Sequence, residues 1–110
     1  MEECLFCKII KKEIPSEIVY ENEIVLAIKD INPKADFHIL ILPKKHIDSL
    51  DELGAEDAEI AGNLLLVAKD IAKSNNLSGH KVAINTGKQG GQLIDHLHLH
   101  LLGGKVKEML

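Results

Sequence analysis

His96-Leu97-His98-Leu99-His100-Leu101-Leu102 places three of the chain's six histidines in strict alternation with leucines. The period is two, so an extended strand puts the three imidazoles on one face and Leu97, Leu99 and Leu101 on the other. The leucine face is suited to burial. Imidazoles spaced about 6 to 7 Å apart along a strand carry desolvation and crowding costs that chemistry or a metal must offset. The segment predicts a strand with a core on one side and a reactive surface on the other.

The residues just before it are Asn85-Thr86-Gly87-Lys88-Gln89-Gly90-Gly91-Gln92. Three glycines in five residues allow backbone N–H groups to approach an anion, although the same composition also makes a plain hairpin turn. Next to three imidazoles, a phosphate held by this loop would lie against the histidine face.

Further upstream, Glu17 to Glu21 and Ile24 to Asp30 read as strands joined by a tight turn at Asn22-Glu23. Ile31 to Asp36 reads as a loop, and His38 to Leu42 as a buried strand stopped by Pro43. Lys81 to Asn85 supplies another strand. Leu5, Phe6, Ile9 and Ile10 are at helical spacing, so Leu5 to Lys12 is a short helix that Pro15 keeps from extending. From Ala55 to Ser74 a long helix presents Ile60, Ala61, Leu64, Val67, Ala68, Ile71 and Ala72 on one face. Glu56, Asp57 and Glu59 near its start and Lys69 and Lys73 near its end complement the helix dipole. Leu66 falls on the polar side, either as part of a subunit interface or as an ordinary exposed leucine. Strands that run consecutively, without alternating helices, predict an α+β protein with an antiparallel sheet.

With 110 residues the chain predicts one domain with one core. Its 13 Lys and Arg are interspersed among 17 Asp and Glu, for a net charge of −4, which argues against a nucleic-acid-coating surface. Phe6, Tyr20 and Phe37 are its only aromatic rings besides histidine, too few to stack a single strand. No stretch of 18 apolar residues predicts a membrane span, and the acidic Met1-Glu2-Glu3 is unlike a signal peptide. A cytoplasmic location is expected, with no nucleic-acid or membrane partner.

Cys4-x-x-Cys7 has spacing suited to one tetrahedral zinc, which needs two further ligands, His46 and His96 being the candidates. A redox pair and two packed, unliganded thiols are the alternatives. His38 opens an apolar strand and reads as a core or a functional histidine. Asp30 reads as a ribose ligand or a turn residue. Lys44, Lys45 and His80 read as solvated surface.

Taken together, the His96 to Leu102 motif resembles that of the histidine triad (HIT) nucleotide-binding proteins. The resemblance extends through Cys4-Leu-Phe-Cys, Glu13-Ile-Pro-Ser, Asp30-Ile-Asn-Pro, His38 to His46, Asn85-Thr-Gly, Gly90-Gly91-Gln92 and Leu102-Gly-Gly. It implies an antiparallel five-stranded sheet with one long and one short helix, continued across a homodimer. The branch it is most similar to hydrolyses purine nucleoside phosphoramidates and related nucleoside monophosphate conjugates. By this resemblance His98 would be the nucleophile and His100 would bind phosphate oxygens and protonate the leaving group, with His38 and His96 fixing tautomers. Asn85, Gly91, Gln92 and Leu93 would surround the phosphate, Asp30 the ribose, and Leu5, Phe6, Ile9, Ile28 and Ile31 the base. Cys4, Cys7, His46 and His96 would hold a structural zinc, with no catalytic cofactor.

His100 stands where the transferase branch has glutamine, which favours hydrolysis. Leu93 stands where many phosphoramidase members have a phosphate-contacting serine, and residues 101–110 contain no tryptophan. The alternatives are a dinucleoside polyphosphate hydrolase of the same family, a hydrolase using a zinc-bound water, and a nucleotide-binding module with little turnover.

Overall fold

The segments read as strands become the strands of one antiparallel sheet in the computed structural model, which describes residues 4–106. The elements are α1 (Leu5–Ile10), β1 (Ile18–Glu21), β2 (Val25–Lys29), β3 (Ala35–Pro43), α2 (Ala58–Ser74), β4 (His80–Ala83) and β5 (Leu99–Val106). The sheet order is β1-β2-β3-β5-β4, every pairing antiparallel, as the α+β reading expects. Met1-Glu2-Glu3 lies outside the described residues.

Both faces of the sheet are covered, which is why its central strands read as continuous apolar runs. Val25, Ala27, Ile39, Ile41, Leu97, Leu99 and Leu101 pack with Leu64, Val67, Ala68 and Ile71 of α2. Leu26, Ile28, Leu40 and Leu42, one residue out of phase, pack with Phe6 and Ile9 of α1. The single core expected from chain length is thus two cores divided by the sheet. Leu65 and Leu66 remain exposed on α2.

Several boundaries differ from expectation: β3 begins at Ala35, inside the expected loop, β4 runs His80–Ala83 rather than Lys81 to Asn85, α2 begins at Ala58 after a 3-10 turn over Ala55–Asp57, and two further differences have clear causes. Sheet strand β5 begins at Leu99, so only His100 of the triad lies within it. Pairing with β3 stops at Ile41↔Leu99 because Pro43, which would face Leu97, has no N–H for the ladder. Leu97 instead donates its N–H to the carbonyl of Ile47 at 2.7 Å. The alternation survives regardless, with Leu97, Leu99 and Leu101 in the α2 core. The second difference is α1, which ends well before Pro15. Lys12 adopts a left-handed φ of 66°, and the N–H of Glu13 donates to Lys8 O at 2.9 Å, closing the helix.

Asp57 is more than a favourable charge near a helix start. It is buried, accepts the Gly54 N–H at 3.0 Å and pairs with Lys45 Nζ at 2.7 Å. Lys45 is therefore a fixed partner rather than free surface, and Lys44 likewise pairs with Glu21 at 2.7 Å. These ion pairs anchor the turn immediately before His46.

Candidate active site and metal centre

The register of β3 against β5 brings the first histidines together. His38 pairs with Leu102 and Leu40 with His100, so His38 and His100 are diagonal neighbours on the α1 face. Their rings lie 5.1 Å apart, and the His98 ring lies 5.1 Å from that of His100. The Phe6 ring, carried by α1, stands steeply against those of His98 and His96, with ring centres 5.0 Å and 5.9 Å apart.

Hydrogen bonds assign the tautomer of each ring. The Lys34 N–H donates to His38 Nδ1 at 3.0 Å, so the His38 proton is on Nε2. That N–H points at His100 Nδ1, 2.9 Å away, and at Asp30 Oδ2, 3.3 Å away. An accepting Nδ1 leaves the His100 proton on Nε2. His98 is set the other way: its Nδ1–H donates to the main-chain carbonyl of His96 at 2.7 Å, which leaves a lone pair on Nε2. Burial, followed by the neighbouring His98 and His38 rings, pushes His100 down to about 4. Burial also lowers His38, against the opposing pull of Asp30. These two rings are therefore neutral near pH 7, as the tautomers require. The arrangement offers a nucleophilic nitrogen beside a donor N–H.

Cys4, Cys7, His46 and His96 converge separately, with all four ligand atoms within 4.8 Å of one another. Cys4 Sγ lies 3.3 Å and Cys7 Sγ 3.7 Å from His96 Nδ1, and Cys7 Sγ lies 3.1 Å from His46 Nδ1. Both Nδ1 atoms face the sulfurs because both Nε2–H groups are occupied, His96 donating to Pro43 O at 2.9 Å and His46 to Asp48 Oδ1 at 2.6 Å. This outer support of ligating imidazoles is what a zinc site requires. Burial, then the hydrogen bond and charge of Cys4, push the Cys7 thiol up to about 11. The donor set fits a tetrahedral Cys2His2 zinc.

The glycine-rich loop is tied through Gln92 to the segment that follows His46. Gly87 and Gly91 have φ of 72° and 90°, which favour glycine. A Cβ on Gly91 would also approach Asn85 Nδ2 to 3.3 Å. Asn85 Nδ2 donates to Gly90 O at 2.8 Å. Gln92 is buried, and both hydrogens of its Nε2 go to main-chain carbonyls, Asp48 O at 2.7 Å and Ile94 O at 2.9 Å. Its carboxamide is thus turned into the loop rather than outward to a phosphate. Asp30 is both a turn residue, accepting the Asn32 N–H at 2.8 Å, and a partner of His38.

Of the expected base wall, Phe6, Ile9 and Ile28 are packed in the α1 core, Leu5 is half-exposed and Ile31 is 90% exposed. Leu93 is 94% exposed. A cleft of about 400 Å³ runs past Cys4, Leu5, His46, Asp48, Leu93, Ile94 and Asp95. Sequence reasoning missed Asp48, although a carboxylate two residues after a ligand histidine could have marked it. It also missed the Pro43 carbonyl and the Lys34 N–H, which carry no side-chain signal.

The family model described as "Scavenger mRNA decapping enzyme C-term binding" matches residues 3–110. A solved HIT family hydrolase from Legionella pneumophila superposes with a TM-score of 0.92 at 45% identity, covering 94% of each chain. The chain belongs to the histidine triad family. As a HIT protein it is a hydrolase. It is 42% identical over 106 residues to the purine nucleoside phosphoramidase of Escherichia coli K12, covering 94% of this chain and 89% of that protein. It is also 52% identical over 104 residues to a 14 kDa zinc-binding protein of Zea mays, covering 92% and 81%. Among the described residues, no helix of this HIT chain is long and apolar enough to cross a membrane.

Proposed function

We propose that this HIT hydrolase, a single domain over residues 1–110, cleaves purine nucleoside 5′-phosphoramidates or related nucleoside monophosphate conjugates through a nucleotidyl-His98 intermediate. The observation that carries the reading is the His98 tautomer, whose Nδ1–H is held by His96 O so that Nε2 is free to attack. The E. coli relative supports the substrate class.

His98 Nε2 attacks the α-phosphorus in line, and the P–N bond breaks as the amine takes a proton from a His100 imidazolium, protonated from solvent once the phosphate is bound, which reverts to the neutral ring. Negative charge on the phosphoryl group raises the proton affinity of His100, which begins low, and thus readies it for this exchange. Water then attacks phosphorus, the P–His98 bond breaks, and the water proton returns to His100. Asn85 and the backbone from Gly91 to Leu93 hold the phosphate, with Gln92 supporting them from within. Asp30 receives the ribose. Phe6, Ile9 and Ile28 underlie the base, and the exposed Ile31 adds apolar surface.

Zinc held by Cys4, Cys7, His46 and His96 would supply structure, cross-linking α1 to the segments that carry the histidines. A homodimer continuing the sheet is supported by the edge position of β4 and by exposed Leu65 and Leu66 on α2. The mixed surface charge and the thiol pair suit the cytoplasm.

A second reading places a catalytic metal on Asp30, His38 and His100, whose ligand atoms also lie within 4.8 Å. Hydrolysis of adenosine 5′-phosphoramidate by wild type and His98→Ala, each with and without chelator, separates the two. Turnover that survives chelator and vanishes in His98→Ala supports the nucleotidyl-histidine route. Turnover lost to chelator in a folded protein selects the catalytic metal.

A further inference from the structure

Gln92 occupies an unusual position for a residue in a substrate loop. It is 6% exposed, and every polar atom of its carboxamide has a main-chain partner. Its Oε1 accepts the Gly87 N–H at 2.9 Å, and its own N–H donates to Gly87 O at 3.0 Å, so Gly87 is held from both sides. The two carbonyls at the amide end and the N–H at the oxygen end admit one orientation of the group.

The far end of that amide is fastened to the metal centre. Gln92 Nε2 donates to the carbonyl of Asp48, and Asp48 Oδ1 accepts the Nε2–H of His46 at 2.6 Å. His46 Nδ1 faces Cys7 Sγ. Hydrogen bonds therefore run from the Cys2His2 cluster through His46 to the Asp48 carboxylate and, across the covalent frame of Asp48, from its carbonyl through Gln92 to Gly87. Both Gly87 and Gly91 lie in the left-handed region, so the loop's shape depends on what holds these two hinges.

We infer that Asp48 and Gln92 couple the metal centre to the glycine-rich loop, so that occupancy of the Cys2His2 site orders the loop that receives the nucleotide phosphate. Gln92 is a positioning residue in this scheme. Holding His46 in place as a ligand holds the Asp48 backbone, and with it the amide that fixes Gly87. Such coupling is reciprocal: nucleotide binding tightens metal binding by the same factor. The inference rests on the structural-zinc and nucleotide readings above, and its physical warrant is the bond chain rather than proximity.

The test uses the full chain, wild type, Gln92→Met and Asp48→Ala. Gln92→Met keeps the side-chain length and removes the carboxamide. Asp48→Ala changes a side chain that is 57% exposed, spares the loop and cuts the chain at His46. Zn(II) and adenosine 5′-monophosphate affinities are measured by calorimetry, each with and without the other. Amide hydrogen exchange is followed at residues 87–91 with zinc or with chelator.

In wild type, zinc should tighten nucleotide binding about tenfold and slow exchange across the loop. In both variants the coupling factor should fall to near unity while zinc still binds. Equal loop exchange in loaded and chelated wild type overturns the inference, as does slowing that persists in both variants. Wild type that slows its loop with zinc but binds no nucleotide upholds the coupling and removes only the nucleotide reading. Wild type that takes up no zinc overturns the coupling and the metal reading together.

Discussion

On one side of the segment 96–102, Leu97, Leu99 and Leu101 sink into a core shared with α2, where any apolar group of similar volume would fill the same space. On the other side, each histidine is held by named atoms. His96 is fixed by Pro43 O and the two sulfurs, His98 by His96 O, and His100 by His38. Apolar burial is non-directional and sums over area, whereas a ring's chemistry depends on which of two nitrogens carries the proton. One alternating segment therefore supplies stability from one face and reactivity from the other. Changes on the two faces should register in different measurements.

The largest effect falls on the histidine face. His98→Ala should lower kcat for adenosine 5′-phosphoramidate by about 10⁴-fold or more, equivalent to about 5.5 kcal/mol of barrier, with the melting temperature nearly unchanged. Comparable loss of both quantities would mean that His98 is a packing residue. Leu101→Ala tests the opposite face, since Leu101 is fully buried. It should cost about 3 kcal/mol of folding stability in denaturant unfolding, while kcat per folded molecule stays within a few-fold of wild type.

Metal removal lies between the two faces, because His96 belongs to the segment but turns to the sulfurs. Zinc at about a hundredfold excess over its Kd should add about 2.7 kcal/mol to stability, read as a shift in unfolding midpoint that chelator reverses. A midpoint indifferent to zinc and chelator would remove the structural-zinc reading.

Acid gives the most graded effect, the smallest per pH unit. His100 and His38 titrate lower in the folded chain than in the unfolded one, so the unfolded state binds more protons as pH falls below about 6.5. Their contribution is therefore complete above the unfolded value and is lost as pH drops toward about 4, the folded value of His100. Wild type should lose stability over this window by up to about 1.4 kcal/mol per pH unit more steeply than His100→Asn, as read from urea midpoints. Equal slopes would show that burial does not hold His100 neutral.

Much of this was legible in the residues. Alternation at 96–102, the α2 stripe from Ile60 to Ala72 and the runs at Val25 to Lys29 and Ile39 to Leu42 are repeating patterns that burial imposes on local sequence. The ligand candidates Cys4, Cys7, His46 and His96 were legible because metal chemistry narrows the choice of residue type. Less visible were the late start of β5, set by a proline 56 residues before it, and the true stop of α1, set by the backbone of Lys12. Gln92 was legible as a loop residue, but its inward turn toward Asp48 was not.

Residue type and period alone establish which side chains are apolar, which are imidazoles and thiols, and how they repeat. Which nitrogen is free on His38, His46, His96 and His98 is settled by folding. That depends on Pro43 O, His96 O, Asp48 Oδ1 and the Lys34 N–H, three of them backbone groups that every sequence contains and that only folding brings within 3.0 Å of a particular ring.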